Sequence, residues 1–295
     1  MRYGIWSLVC VGLLAPAFGR AAEPDRSKEL SVDEARRLSQ DRSGPLLLDG
    51  LTTLSPEEAK ELARFDGWLS LNGLASLSDE SAGALGQHKG PLHLNGLTKL
   101  SDESAAALAR HSGALSLNGL TSLSDKAAAD LFKQTGGRLY LHGVATLSPE
   151  AARALSQRKG GPQAGPVQLH GLTSLSPETA AALAGLHGHQ WDGRLPNIKT
   201  LPDDVAQAFD KREGGLALEG LTALSDEAAK VLGPKLDGRL PALKTLSPGA
   251  AKGLSKIRGP IVLDGLTTLP DDAAVALGGD HSRDLHLNGL AALSP

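Results

Sequence analysis

The chain has one cysteine, Cys10, one methionine, and only 3% aromatic residues in a length of 295. A lone thiol closes no intramolecular disulfide and builds no thiolate zinc cluster, so neither kind of cross-link holds this protein together. With so few aromatic rings, leucine must supply most of the buried apolar surface. The formal charge is only -3, which argues against a nucleic-acid binder, whose phosphate contacts need a basic surface. Past the first residues no apolar run is long enough to span a bilayer.

The beginning of the chain reads as an export signal over residues 1–19. Arg2 gives a positive start, Ile5 to Leu14 a short apolar run, and Ala17-Phe18-Gly19 the small residues of a cleavage site. Ser7 and Val11 around Cys10 do not make a lipoprotein pattern, and cleavage would remove the cysteine. Residues 20–30 read as a polar linker. Residues 31–45 read as an N-terminal capping helix and lead-in, because Ser31-Val32-Asp33-Glu34 has capping-box spacing ahead of Ala35 and Leu38.

From residue 46 to 295 the sequence repeats itself about every 23 residues, in about eleven units. A period in this range marks a solenoid. In the type unit Leu92-His93-Leu94-Asn95-Gly96-Leu97, Leu92 and Leu94 share one face of a short strand of three to five residues. Ser-Pro-Glu or Ser-Asp-Glu then starts a helix: serine as N-cap, proline or an acid in the first turn. Seven residues after the cap comes an apolar column that includes Leu62, Leu85, Leu108, Leu131, Phe209 and Leu277. Helices of two to three turns do not persist alone in water, so packing on the strand layer must hold them.

The turn glycine recurs at Gly73, Gly96, Gly119, Gly143, Gly171, Gly220, Gly265 and Gly289. It serves either a positive φ or a close backbone approach. Asn197 and Ala242 take its place in two divergent units, each of which also carries Asp-Gly-Arg and is expected to hold a bulge or a widened strand entry there. Asn72, Asn95, Asn118 and Asn288, with Asp49, Asp264, His142 and His170, precede the turn position and read as a ladder that caps backbone groups.

This pattern resembles the leucine-rich-repeat family, in particular its bacterial variants built on Leu-x-Leu-x-Gly-Leu-Thr-x-Leu-Ser. The resemblance covers roughly residues 30 to 295. It implies an α/β fold: a right-handed solenoid with parallel short strands on one face and short helices on the other. It also implies binding of proteins or other macromolecules through the strand face. One departure stands out. Leu97 falls where the family keeps a buried asparagine, and the polar residue sits earlier, at Asn95, so the inner backbone must be satisfied differently.

The outward mid-strand column runs through Leu47, Ser70, His93, Ser116, Tyr140, Gln168, Arg194, Ala217, Arg239, Val262 and His286. Within it, His93, Ser116, Tyr140, Gln168 and Arg194 form the candidate partner-binding surface, with the inserted loop Gly160 to Pro166 beside Tyr140. No catalytic residue, cofactor or metal is expected. The serines sit at helix caps, the paired acids in first helical turns, and the paired histidines lack the further ligands that zinc needs. The expected function is a non-catalytic, extracytoplasmic interaction or recognition scaffold for an unknown protein or envelope macromolecule. The alternative is a structural spacer of the cell envelope, and a weaker one is a hydrolase using His93, Ser116 and Tyr140. The array stops at Pro295, one residue into the next helix start. A truncated array is therefore expected, in which Leu287 and Leu290 could meet another molecule end to end.

Overall fold

A computed structural model describes residues 29–41, 44–134, 136–159, 165–188, 190–278 and 284–293. The expected signal segment, most of the linker, residues 160–164 of the inserted loop, and Ser294-Pro295 lie outside them.

Each repeat makes one coil of an α/β solenoid. Strands β1 (Leu46–Leu47), β2 (Leu69–Ser70), β3 (Leu92–His93), β4 (Leu115–Ser116), β5 (Leu139–Tyr140) and β6 (Val167–Gln168) pair in chain order as one parallel sheet. The strands are two residues long rather than the expected three to five. The chain turns at once into the asparagine–glycine corner, although the next N–H still bonds across, as from Leu94 to the Ser116 carbonyl at 2.9 Å. The register puts His93 beside Ser116 and Ser116 beside Tyr140.

Helix α1 (Val32–Gln40) closes the N-terminal end without a strand of its own. Its Ala35 and Leu38 are buried, and Arg36 bonds Glu61 of α2 (Pro56–Leu62). There follow α3 (Asp79–Leu85), α4 (Asp102–Leu108), α5 (Asp125–Leu131), α6 (Pro149–Leu155), α7 (Pro177–Ala184) and α8 (Asp203–Ala208). Then come α9 (Asp226–Leu232), α10 (Pro248–Leu254) and α11 (Asp271–Leu277). The expected leucine columns form one continuous core. Leu69, Leu92 and Leu115 from the strands, Leu97 and Leu120 from the turns, and Leu62, Leu85 and Leu108 from the helices are fully buried. At the far end Leu285 is 40% exposed, because its strand β8 (Leu285–His286) pairs on one side only, with β7 (Ile261–Val262). Leu287 and Leu290 there are half-buried.

The helix starts interlock from coil to coil. Ser55, Ser78, Ser101, Ser124, Ser148, Ser176, Ser225 and Ser247 each accept a backbone N–H as N-cap, and Ser55 with Glu58 completes a capping box. Where aspartate holds the first helical position, the next coil's serine hydroxyl also donates to it. Ser101 reaches Asp79 at 2.5 Å, and Ser124, Ser148, Ser225 and Ser247 reach Asp102, Asp125, Asp203 and Asp226. The hydroxyls of Ser101 and Ser104 hold the Asp79 carboxyl below its usual range. Where proline holds the first position this bond has no acceptor, and the buried Ser81 and Thr179 instead donate to the carbonyls of Leu54 and Leu147.

The sheet pauses after β6. Val167 pairs with Trp191, Arg194 with Ala217, Leu216 with Leu236, and Arg239 with Val262 as single bridges. Between Trp191 and Arg194 the chain spends two extra residues, Asp192 and Gly193; Asp237 and Gly238 do the same two coils later. These are the bulges expected at Asp-Gly-Arg. Among the described residues Gly193 (φ 76) and Gly238 (φ 86) are the positive-φ glycines, and the aspartates accept the N–H groups of Arg194 and Arg239.

The turn glycines have ordinary φ and serve close approach. A Cβ on Gly96, Gly119 or Gly143 would lie 2.2, 2.1 or 2.3 Å from the carbonyl oxygen of Asn72, Asn95 or Asn118 on the preceding coil. Both exceptions belong to the bulged coils, and Asn197 turns the contact into a bond by donating to the His170 carbonyl at 2.9 Å. Gly119→Ala should therefore destabilise the fold by about 3 kcal/mol in urea titration. Gly83→Ala, mid-helix with open space around it, should stabilise by about 0.5–1 kcal/mol. Equal effects at the two sites would contradict the close-approach account.

Candidate functional site

The floor of the strand face is a hydrogen-bonded polar ladder. The N–H of Asn72 donates to Asp49 Oδ1 at 2.9 Å, that of Asn95 to Asn72 Oδ1 at 3.0 Å, and that of Asn118 to Asn95 Oδ1 at 2.9 Å. His142 continues the row onto Asn118, and Asn288 repeats it on Asp264. This is how the turn N–H groups are satisfied with leucine rather than asparagine at Leu97 and Leu120. The short strand serines join in. Ser116 Oγ donates to Asn95 Oδ1 at 2.7 Å and accepts from Asn118 Nδ2 at 3.0 Å, as Ser70 does between Asp49 and Asn72.

Two grooves lie along the strand face, the first on this floor and the second beyond it. The first, about 500 Å³, is lined by Trp68, Pro91, His93, Asn95, Ala114, Ser116, Asn118, Tyr140 and His142. Trp68 is 46% exposed and meets the His93 ring at 4.9 Å. Tyr140 is half-buried and lies edge-on to His142 at 5.8 Å. His142 is braced in turn by a 3.0 Å bond to Gln168 and by stacking on His170 at 4.6 Å, and His170 bonds Asp192 at 2.7 Å. Burial lowers the affinity of both His93 and His142 for protons. The second groove, about 560 Å³, is charged and spans both bulges. Asp192, Arg194, Glu219, Asp237 and Arg239 surround Gly193, Gly215 and Ala217, and Arg194 pairs with Glu219 at 2.5 Å.

The candidate residues thus divide. His93, Ser116 and Tyr140 share the first groove; Gln168 reaches it only through His142; Arg194 belongs to the second. The patch expected from Tyr140 with Arg194 is not one site, because the bulge carries Arg194 past the register of Gln168. Ser116 is 4% exposed, since the amide ladder closes over it, and its hydroxyl is bonded to Asn95 and Asn118 rather than to a histidine. Trp68, just ahead of the strand, was missed because the outward column counts only mid-strand positions.

A second row, of mixed chemistry, was also missed at the buried return after each helix: Phe65, His88, His111, Gln134, Arg158, Leu186, Arg212 and Ile257. Each follows its helix with an N–H bond to a carbonyl three residues back, such as His111 to Leu108 at 2.9 Å. Gln134 donates to the Gly113 carbonyl at 2.7 Å. Arg158 bonds the carbonyls of Gln134, Gly137 and Gly165, and Arg212 those of Leu183, Leu186 and Gly215. Arg212 also lies over the buried Trp191 ring, 4.6 Å from its centre. Burial lowers the Arg158 pKa to about 10, still charged at neutral pH. His88 and His111 stack at 5.8 Å with neither ring nitrogen hydrogen-bonded. The two histidines do face each other as their spacing suggests. Among the described residues no cluster of three or more histidine, cysteine, aspartate or glutamate side chains could hold a metal.

No protein-family model and no curated protein matches this chain. Among solved structures 27 chains match. One is an internalin of Listeria monocytogenes, 14% identical, with 84% of this chain and 75% of that one covered at a TM-score of 0.49. Another is from the complex of Toll with Spatzle in Drosophila, 16% identical, covering 83% of this chain and 36% of that one at a TM-score of 0.38.

The histidine pair gives the fold an acid limit. Burial, and secondarily the neighbouring His88, push His111 down to about 4 from the 6.5 of a free histidine, and burial lowers His88 as well. The unfolded chain therefore binds more protons than the folded one below pH 6.5. Stability contributed by the neutral ring is complete above that pH and is lost as pH falls toward about 4. For His111 the loss should reach roughly 3 kcal/mol, read from urea midpoints across this window. His111→Phe, which copies Phe65 in the same row, should flatten that slope; an unchanged slope would assign the acid loss to other groups.

Proposed function

We propose that this protein is a non-catalytic recognition scaffold that works outside the cytoplasm and binds an envelope macromolecule through its strand face. The observation that carries this reading is the groove between Trp68 and Tyr140. A solenoid that serves only as a spacer needs the leucine spine and the polar ladder. It has no use for a tryptophan standing 46% exposed beside a braced tyrosine. Exposed aromatic anchors around small residues are the usual source of binding energy at a recognition surface. Export is supported by Arg2 with the Ile5 to Leu14 run. Among the described residues no helix is long and apolar enough to cross a membrane. The hydrolase reading loses its nucleophile, because Ser116 is committed to the amide ladder.

The test is sedimentation of the purified chain with envelopes of the source cell. Trp68→Ala combined with Tyr140→Ala should weaken saturable binding at least tenfold, with the circular dichroism unchanged. Lys60→Ala on the helix side should leave binding intact. Equal binding by the double variant and the parent would refute the strand face as the recognition surface.

A further inference from the structure

We propose that the groove between Trp68 and Tyr140 takes a neutral oligosaccharide, whose sugar rings lie against the two aromatic side chains. The proposal rests on the strand face being the recognition surface and narrows what it recognises.

The first reason is the layout of the plates. Trp68 belongs to the coil of β2 and Tyr140 to that of β5, three strand steps apart, or roughly 14 Å, about the length of three linked sugar rings. Between them the side chains are small or short. Pro91 and Ala114 follow Trp68 in its column, and Ser116 lies between His93 and Tyr140 in the next. The result is a trough with an aromatic wall at each end. Both walls are held in place: His93 lies against Trp68, and the His170–His142 stack stands behind Tyr140. Fixed plates of this kind fit the flat C–H face of a pyranose.

The second reason is the set of unused polar heads. Asn95 Oδ1 already accepts from Ser116 Oγ and Asn118 N, but Asn95 Nδ2 has no partner among the described residues. The Tyr140 hydroxyl and the His93 ring nitrogens are likewise unbonded there. A ligand dense in hydroxyl groups uses such isolated donors and acceptors; a purely apolar ligand would leave them dry and unpaired.

The third reason is charge. No aspartate, glutamate, lysine or arginine lines this groove, and burial disfavours the charged form of both His93 and His142. The nearest carboxylate on this face, Asp49, lies outside the lining and is occupied by Ser70 and Asn72, and Arg194, Glu219 and Arg239 stand in the other groove. An uncharged ligand is the complement of the first.

The experiment is calorimetric titration of the full chain with cellotetraose, maltotetraose and chitotetraose, and with anionic tetragalacturonate. At least one neutral tetrasaccharide should bind with Kd below about 1 mM and more tightly than tetragalacturonate. Trp68→Ala should weaken it at least tenfold. Asn95→Asp keeps the acceptor that the ladder needs, as Asp49 and Asp264 do, but loses the free donor, and should weaken binding several-fold in a normally folded chain. Arg194→Ala should change nothing. Envelopes stripped of protein by protease should still bind the chain. The proposal is overturned if no neutral sugar binds, if binding ignores Trp68→Ala, or if protease abolishes envelope binding. If the sugars fail while the Trp68 and Tyr140 variants still lose envelope binding, the ligand class is wrong and the recognition face stands. If both fail, the face is wrong as well.

Discussion

Coils must approach to the strand spacing for any of this molecule to hold together, and the turn backbone is where that approach is tightest. A coil has at most a two-residue strand on this face and about two helical turns, too little to bury its own leucines. The leucine spine becomes a core only when the corner of one coil rests on the corner of the last. There a side chain as small as a methyl would collide with a carbonyl oxygen at about 2 Å. Glycine grants the approach, and the residue before it completes the contact: the asparagine side chain of one coil accepts the N–H of the next. Packing and hydrogen bonding are thus two parts of one contact, which explains why the two residue types travel together along the chain.

The helix side solves the same problem with different chemistry. Short helices leave unsatisfied groups at both ends. At their starts, serine caps its own helix and, where an aspartate is available, reaches back to the preceding one. At their ends the chain returns through buried carbonyls, and Gln134, Arg158 and Arg212 supply donors to them. A buried guanidinium without a carboxylate partner is costly unless its N–H groups are used. Here each lies among carbonyls, and Arg212 gains a tryptophan face as well. The stacked histidines fill the same row with ring contact instead, and so make the N-terminal half sensitive to acid.

Much of the fold was legible because its determinants are periodic. Leu92 and Leu94 declared the inward face, Ser101 the helix start, and Asp-Gly-Arg the bulges. The choice between close approach and positive φ for Gly96 was not legible, since both favour glycine; only the position of the neighbouring carbonyl decides. The return row was missed because its members, from Phe65 through His88 and Gln134 to Arg212, share no chemistry, and a column is easily read only when its residues look alike. His93, Ser116 and Tyr140 were placed on one surface by register alone. Arg194 was misplaced because counting along a repeat ignores the two residues that a bulge inserts. Trp68 was overlooked because it precedes the strand rather than sitting within it.

The bulges do more than absorb extra residues. They interrupt the sheet between Gln168 and Arg194 and so divide the outward face into a part whose groove is aromatic and a part whose groove is ionic. A regular ladder would set Tyr140, Gln168 and Arg194 in one row at equal spacing, with the guanidinium close to the aromatic ring. With the bulge, Arg194 turns to Glu219 while His142 and His170 fill the space behind Tyr140. The inward positions are held by the leucine spine and the corners by close backbone contact. Residue choice is therefore free only along the outward column and its flanks, where binding specificity can be built without disturbing the coil-to-coil contact beneath it.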